Sequence, residues 1–315
     1  MKKQTYLVTG GAGFIGSHIV ERLARQGHRV RVLDNLFSGK ETNIQSIGGD
    51  VELMRADIRD VRSVAAATEG VDVVFHEAAL GSVPRSVADP ITTHEVNLSG
   101  TLNVLLAARD AKVRRVVYAS SSSVYGETAV LPKHEELTPQ PLSPYALSKL
   151  AAEHYVRIFH RVYGLEAVSL RYFNIFGPRQ DLESEYAAVV PRFVTALLES
   201  KRPVIYGDGL QSRDFTYVEN VVNANLLAAE AEGVGGQAFN VACGDRYTLL
   251  DLLSKLKEII SSDIEAIHEP ARAGDVRDSQ ASIEKASQGL GYQVSVDFEE
   301  GLRRTVEWYR EQIAK

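Results

Sequence analysis

A tyrosine and a lysine four residues apart, Tyr145-Ala-Leu-Ser-Lys149, follow a run of four serines, Ser120-Ser121-Ser122-Ser123. A phenol with a pKa of about 10 is a poor base at neutral pH. Positions i and i+4 share one helix face, so the Lys149 ammonium would lie beside the Tyr145 hydroxyl and stabilise its phenolate. Such a phenolate takes the proton of a substrate alcohol, with a serine hydroxyl relaying or sharing it. That chemistry suits hydride removal from a carbinol carbon, provided an oxidised nicotinamide is at hand. Alone, Tyr-x-x-x-Lys is common on exposed helix faces, so a nicotinamide site has to be found elsewhere in the chain.

The chain offers one near its start. Gly11-x-Gly13-x-x-Gly16 directly follows the apolar run Tyr6-Leu7-Val8. Behind it, Phe14, Ile15, Ile19, Val20 and Leu23 recur at helical spacing. The glycines therefore sit at a strand-to-helix turn, the context of a dinucleotide-binding fingerprint. A side chain at Gly11 or Gly13 would hold a ligand off the backbone; without one, a pyrophosphate reaches the free N–H groups and positive dipole end of the helix. Gly16 lets the helix pack close to the strand. Asp34 closes the next strand, 23 residues beyond Gly11, where an acid accepts hydrogen bonds from ribose hydroxyls and repels a 2′-phosphate. The expected cofactor is therefore NAD rather than NADP. Asp57-Ile58 and Ala78-Ala79 end later strands, positions suited to an adenine edge and to close approach of a cofactor, whereas His76 reads as a packed core histidine.

Elements that would carry these residues follow from periodicity. Strands over 6–8, 29–33, 51–56, 71–76, 113–119 and 165–172 alternate with helices over 14–26 and 59–69, a long helix within 87–111, and one over 145–163. The pattern predicts an α/β fold: a Rossmann-type doubly wound parallel sheet. Apolar residues on more than one side of the helix within 87–111 make it a candidate dimer helix. Beyond Asn174 the alternation breaks. Helices are expected over 187–199, 218–231, 249–260 and 298–313, with strands over 203–206 and 238–242. The reading is a NAD-binding domain over 1–174, to which the chain returns around 216–243, and a smaller C-terminal α/β substrate lobe over 175–315.

Composition sets outer bounds. With 315 residues, 44% hydrophobic and 24% charged, the chain is long enough for a sizeable core and has ordinary globular chemistry. A net charge of −6 gives no sign of a nucleic-acid surface and requires local positive groups to hold an anionic substrate. A single cysteine, Cys243, excludes an internal disulfide, and no Cys/His spacing suggests a metal. No stretch approaches a membrane span, and the apolar run after Lys2-Lys3 is far too short for a signal segment, so the expected compartment is the cytoplasm.

Over essentially its whole length the sequence resembles the extended short-chain dehydrogenase/reductases, specifically nucleotide-sugar 4-epimerases. The resemblance is carried by Thr9-Gly10-Gly11-Ala12-Gly13-Phe14-Ile15-Gly16, Ser120 to Gly126, Ser143-Pro144-Tyr145-Ala146-x-x-Lys149, Arg171-Tyr172-Phe173-Asn174 and Ser212-Arg213-Asp214-Phe215. It implies Tyr145 as active-site base, Lys149 as its partner on the nicotinamide ribose, and Ser121 as the catalytic hydroxyl, with Ser122 and Ser123 facing the hexose. Serines after Ser121, where related 4,6-dehydratases carry Asp and Glu, imply epimerisation rather than water elimination. The resemblance also assigns Gly10, Phe14, Ile15, Asn35, Ser38, Gly39, Asn97 and Tyr172 to NAD. To a UDP-sugar it assigns Ser82, Asn174, Ala188, Val189, Tyr206, Arg213, Arg272, Asp275 and Ser279, with Asn174 and Arg213 on the diphosphate. Similar glucose-only enzymes carry a tyrosine at the position of Ser279. A serine leaves room for an N-acetyl group, so the implied reaction is 4-epimerisation of UDP-N-acetylglucosamine to UDP-N-acetylgalactosamine by a homodimer, through a 4-keto sugar. UDP-glucose/galactose epimerisation is the near alternative. UDP-glucuronate epimerases share the serine run, but no cation in this sequence is assigned to a sugar carboxylate. A non-catalytic nucleotide-sensing regulator would be expected to lose Tyr145 or Lys149.

Overall fold

The computed structural model describes residues 3–181, 188–270 and 277–314. Six strands, β1 (Thr5–Thr9), β2 (Arg29–Asp34), β3 (Asp50–Arg55), β4 (Val73–His76), β5 (Arg115–Ser121) and β6 (Ala167–Tyr172), join a seventh, Ala238–Val241, in one sheet. Every pairing in it is parallel, in the order Ala238–Val241, β6, β5, β4, β1, β2, β3. The chain winds outward through β2 and β3, then returns to the other side of β1. The crevice above the carboxyl ends of β1 and β4 is thus the switch point where ligands of such sheets bind. The doubly wound sheet is as the alternation predicts, and the strand expected over 238–242 rejoins it as Ala238–Val241.

Both faces of the sheet are covered, which is why its strands read as near-continuous apolar runs. Alternate residues go to opposite faces. Val8, Val32, Phe75, Val117 and Leu170 pack against helix α1 (Phe14–Arg25) and the helix Val218–Glu230. Leu7, Leu33, Val74, Val116 and Tyr118 pack against the helices Val61–Thr68, Thr101–Asp110 and Pro144–Tyr163. A third core lies around Phe176, Phe193, Leu252, Phe298 and Tyr309. Phe298 is stacked between Tyr247 (4.1 Å between ring centroids) and Phe215 (5.4 Å), and such pairs add about 0.5–1.5 kcal/mol each beyond burial.

The long helix expected within 87–111 runs through Pro90–His94, a π turn Glu95–Gly100 and Thr101–Asp110, with Asn97 inside it, and a short helix, Val83–Ala88, precedes it. Pro90 forces the break: Asp89 before it leaves the helical region (φ −136°, ψ 80°) and caps the next segment by accepting from the Thr92 N–H. The sequence did not announce several short elements, two of them in the last third of the chain. Ile267–Glu269 pairs in parallel with Val204–Tyr206, and Glu284–Leu290 is a short helix. Among the described residues, no helix is long and apolar enough to cross a membrane, and no group of three His, Cys, Asp or Glu is placed to hold a metal ion.

Candidate active site

A cleft of about 950 Å³ runs along the carboxyl edge of the sheet and into the second lobe. Gly10, Gly13, Phe14, Ile15, Gly16, Asp34, Asn35, Ser38, Gly39, Asp57, Ile58, Ala78 and Ala79 line one end. Ser121, Ser122, Ser123, Tyr145, Lys149 and Tyr172 line its middle, and Asn174, Ala188, Arg213 and Ser279 the far end. A smaller hollow of about 260 Å³ continues from there, sharing Asn174, Ala188 and Arg213 and adding Val189 and Tyr206.

Two residues expected on ligands are elsewhere. The Asn97 side chain is buried behind the cleft wall: its Oδ1 accepts from the Leu80 N–H (2.7 Å), and its Nδ2 donates to the Leu80 carbonyl (3.2 Å) and Ser148 Oγ (3.2 Å). Its amide fixes the chain after Ala79. Ser82 caps the helix Val83–Ala88, its Oγ accepting from the Arg85 N–H at 3.2 Å, and does not line the cleft. Arg272 and Asp275 lie outside the described residues.

The glycine turn is held by backbone. Gly10 adopts φ +68°, and its N–H donates to the Leu33 carbonyl at 2.8 Å. A Cβ there would lie 2.7 Å from the Ala78 nitrogen, so the turn and the chain after β4 touch through their main chains. At Gly16 a Cβ would lie 2.3 Å from the Gly10 carbonyl oxygen, which confirms that its bareness seats α1 on the turn. Gly11 departs from the expectation. It is buried beneath the turn, away from the cleft lining, and a Cβ would press to 2.8 Å on Val32, so this glycine serves packing and not ligand approach. Gly13 caps α1 with no side chain to occupy the first-turn N–H groups, which leaves them open to an anion.

That cradle and Asp34 fit a dinucleotide. The Asp34 carboxylate is anchored by the N–H groups of Ala12 (3.0 Å) and Leu36 (2.8 Å), and each oxygen keeps capacity for a ribose hydroxyl. Burial raises its pKa, and the two N–H bonds oppose the rise.

Tyr145 sits on the first turn of its helix because Ser143 caps it, accepting from the Ala146 N–H at 3.1 Å, and Pro144 opens it. Burial pushes the Tyr145 phenol up, and the Ser121 hydroxyl opposes the rise. Lys149, 4% exposed, donates from Nζ to the Ala119 carbonyl at 2.7 Å and lies 5.1 Å over the Tyr118 ring. Burial brings it down to about 8, against the carboxylates of Glu77 and Glu153. It is therefore a lysine whose charge is easily lost, one helical turn from Tyr145. His76 is core, as expected, held between Thr9 Oγ1 (2.6 Å) and Thr101 Oγ1 (2.9 Å) and pushed down to about 3 by burial.

Beneath the serine run lies a buried polar frame. Ser120 donates to Glu153, which forks the Arg171 guanidinium at 2.9 and 2.8 Å. Arg171 lies 4.8 Å over the Tyr125 ring, and the Tyr125 hydroxyl donates to Asn240 at 2.7 Å. Tyr125 and Arg171, which helped carry the resemblance, are thus scaffold. At the far end, Asn174 Nδ2 reaches the Asp214 carbonyl (3.1 Å) and Ser279 Oγ (3.4 Å), and Arg213 is braced on the carbonyls of Ser212 (2.9 Å) and Arg277 (3.0 Å). The sequence reading missed Glu77 and Lys133, both in the cleft lining. Glu77 directly precedes Ala78-Ala79 and was legible by position; Lys133, in a proline-rich loop, gave no signal.

A model of the NAD dependent epimerase/dehydratase family matches residues 6–242. The UDP-glucose 4-epimerase of Mycolicibacterium smegmatis is 40% identical over 308 residues, covering 96% of this chain and 98% of that protein. The solved UDP-N-acetylglucosamine 4-epimerase of Methanobrevibacter ruminantium, in complex with UDP-N-acetylmuramic acid, is 41% identical with a TM-score of 0.95 over 99% of this chain and 100% of that one. The UDP-glucose 4-epimerase of Thermus thermophilus, solved with NAD, is 40% identical with a TM-score of 0.88 over 97% of this chain and 99% of that one.

Proposed function

We propose that this chain, which belongs to the NAD dependent epimerase/dehydratase family, interconverts UDP-N-acetylglucosamine and UDP-N-acetylgalactosamine. It is an NAD-dependent nucleotide-sugar epimerase, an isomerase; the choice of sugar is the proposal. The observation that carries it is the size and place of Ser279, a buried serine (7% exposed) in the cleft lining beside Asn174. A small hydroxyl there leaves volume for an acetamido group that a tyrosine would fill.

The residues act as follows. NAD would be held by the first-turn N–H groups of α1 and by Asp34; when bound it supplies a hydride acceptor and, once reduced, a donor. Tyr145 takes the C4 hydroxyl proton, Ser121 shares it, and the Lys149 ammonium offsets the phenolate charge. The C4 hydride leaves with the proton's departure, giving a 4-keto sugar. Arg213 and Asn174 hold the diphosphate; the guanidinium suits phosphate oxygens, and its brace on two carbonyls fixes its plane. Around the hexose, Ser121, Ser122, Ser123 and Ser279 make short, interchangeable contacts, so the keto sugar turns about the diphosphate and presents its other face. Tyr145 then returns the proton as C4 is reduced with inverted configuration.

Proton NMR of the purified protein with UDP-N-acetylglucosamine and NAD is expected to show UDP-N-acetylgalactosamine accumulating to equilibrium. No such product sinks the sugar assignment, and conversion of UDP-glucose alone supports the glucose reading that the mycobacterial relative's name suggests. Exposed apolar side chains on the outer helices, Val87 (64%), Ile91 (71%), Leu147 (57%) and Val162 (63%), support a homodimer through that face.

A further inference from the structure

Glu77 is a half-buried carboxyl in the cleft lining that the reaction as written leaves unused. It follows β4, and the pairing of His76 with Tyr118 brings it level with Ala119 on β5, whose carbonyl takes the Lys149 ammonium at 2.7 Å. Its N–H donates to the Thr9 carbonyl (3.1 Å), which pins the backbone. Its Oε1 accepts from the Tyr172 hydroxyl (2.8 Å), and that hydroxyl accepts from Asn225 Nδ2 (2.7 Å), itself tied to the Val221 carbonyl (2.9 Å). A chain of donors from the helix Val218–Glu230 through β6 thus aims one oxygen and leaves the other with acceptor capacity in the cleft. Among the described residues, no guanidinium or ammonium lies within salt-bridge distance of it.

We propose that Glu77 is a positioning residue of this epimerase: its carboxylate is the counter-charge that keeps Lys149 an ammonium beside Tyr145. The proposal rests on the redox epimerisation argued above. Two carboxylates act on Lys149, Glu77 ahead of Glu153, but Glu153 is already neutralised by its two-pronged bond to Arg171. Glu77 is the uncompensated one. The groups facing it are Lys149, the hydroxyls of Tyr172 and Tyr118, and the neutral His76 on its own strand. Burial pushes Glu77 up to about 7, opposed by the Tyr172 hydrogen bond and by Lys149. Above that pH it is charged and resists the loss of the Lys149 proton. One charge several Å away in a protein interior moves a pKa by about one unit or more.

Glu77→Gln keeps the acceptor for Tyr172 and removes the charge. In the NAD-loaded enzyme, heteronuclear NMR of the lysine side chains, with the Lys149 signal assigned from Lys149→Met, is expected to show Lys149 titrating about one pH unit lower. The alkaline limb of kcat/KM should move down with it. Asn225→Leu, which releases the Tyr172 hydroxyl and loosens Glu77, gives a smaller shift in the same direction. A folded Glu77→Gln whose Lys149 titration and alkaline limb match wild type overturns the proposal and leaves Glu77 a structural acceptor. A wild-type chain that epimerises no nucleotide sugar overturns the underlying reading instead, while the Lys149 titration still decides the role of Glu77.

Discussion

Three glycines that look alike in the fingerprint should fail in three different ways. At Gly16, an alanine Cβ would meet the Gly10 carbonyl oxygen at 2.3 Å, the Gly11 Cα at 2.8 Å and the Gly10 carbonyl carbon at 2.9 Å. All three are backbone, so no side chain can swing away, and α1 must retreat about 1 Å to restore ordinary contact. Overpacking of this kind costs about 1–3 kcal/mol. For a chain of this size that is a fall in Tm of roughly 2–4 °C per kcal/mol. The same retreat moves the first-turn N–H groups off the pyrophosphate. At Gly13, the nearest atom to an added Cβ is the Gly10 carbonyl oxygen at 3.1 Å, a tight but tolerable contact, and Gly13 faces the cleft. Gly13→Ala should therefore lose cofactor while the NAD-free protein melts near the wild-type temperature. Gly11→Ala presses on Val32 and should lower Tm with the least direct effect on the cofactor. The assay is NAD released on denaturation after gel filtration, set beside thermal melts of NAD-free protein. Equal melting temperatures for Gly16→Ala and Gly13→Ala, or full NAD retention by Gly13→Ala, would refute this division of labour.

Other variants probe the remaining parts. Ser279→Tyr should raise KM for UDP-N-acetylglucosamine by at least about tenfold and spare UDP-glucose, as steady-state kinetics on both sugars will show. Arg171→Met leaves the Glu153 carboxylate buried and unpaired and should cost about 3–5 kcal/mol in urea unfolding; the double variant with Glu153→Leu should recover much of it. His76 is pushed down to about 3 from 6.5, so the stability it lends is intact above about pH 6.5 and drains as pH falls toward 3. The urea midpoint should drop between pH 7 and 5, and less steeply in His76→Gln. Tyr145→Phe should slow turnover by about 10²–10⁴-fold with melting temperature retained, whereas unchanged turnover would fit no enzyme reading based on this phenol.

What the sequence made legible is what short-range spacing encodes. The glycine turn, Asp34 at the end of β2, and Tyr145 with Lys149 on one helical turn each announce themselves within a few residues or at a fixed offset. The cleft brings them together because they all stand on carboxyl ends of parallel strands or on the helix that follows. Less legible is a side chain whose partner is remote. The resemblance assigns Asn97 to the cofactor, but its amide is spent on the backbone of Leu80, 17 residues away. The Glu77–Tyr172–Asn225 chain joins residues 95 and 53 positions apart, which no local pattern reports. The helix start at Asp89-Pro90 is readable in the sequence, since proline suits a first helical position, but the π turn at Glu95–Gly100 has no local signal. Ile267–Glu269 is short and exposed, so it has no alternation to detect.

The central claim is that C4 itself is oxidised and then reduced by the same hydride within one active site. UDP-N-acetylglucosamine carrying deuterium at C4, incubated in ordinary water with the NAD-loaded enzyme and followed by NMR and mass spectrometry, tests this directly. The account predicts product UDP-N-acetylgalactosamine with the C4 deuterium retained and a transient nicotinamide reduction that Tyr145→Phe slows. Epimerised product with solvent hydrogen at C4 would contradict it.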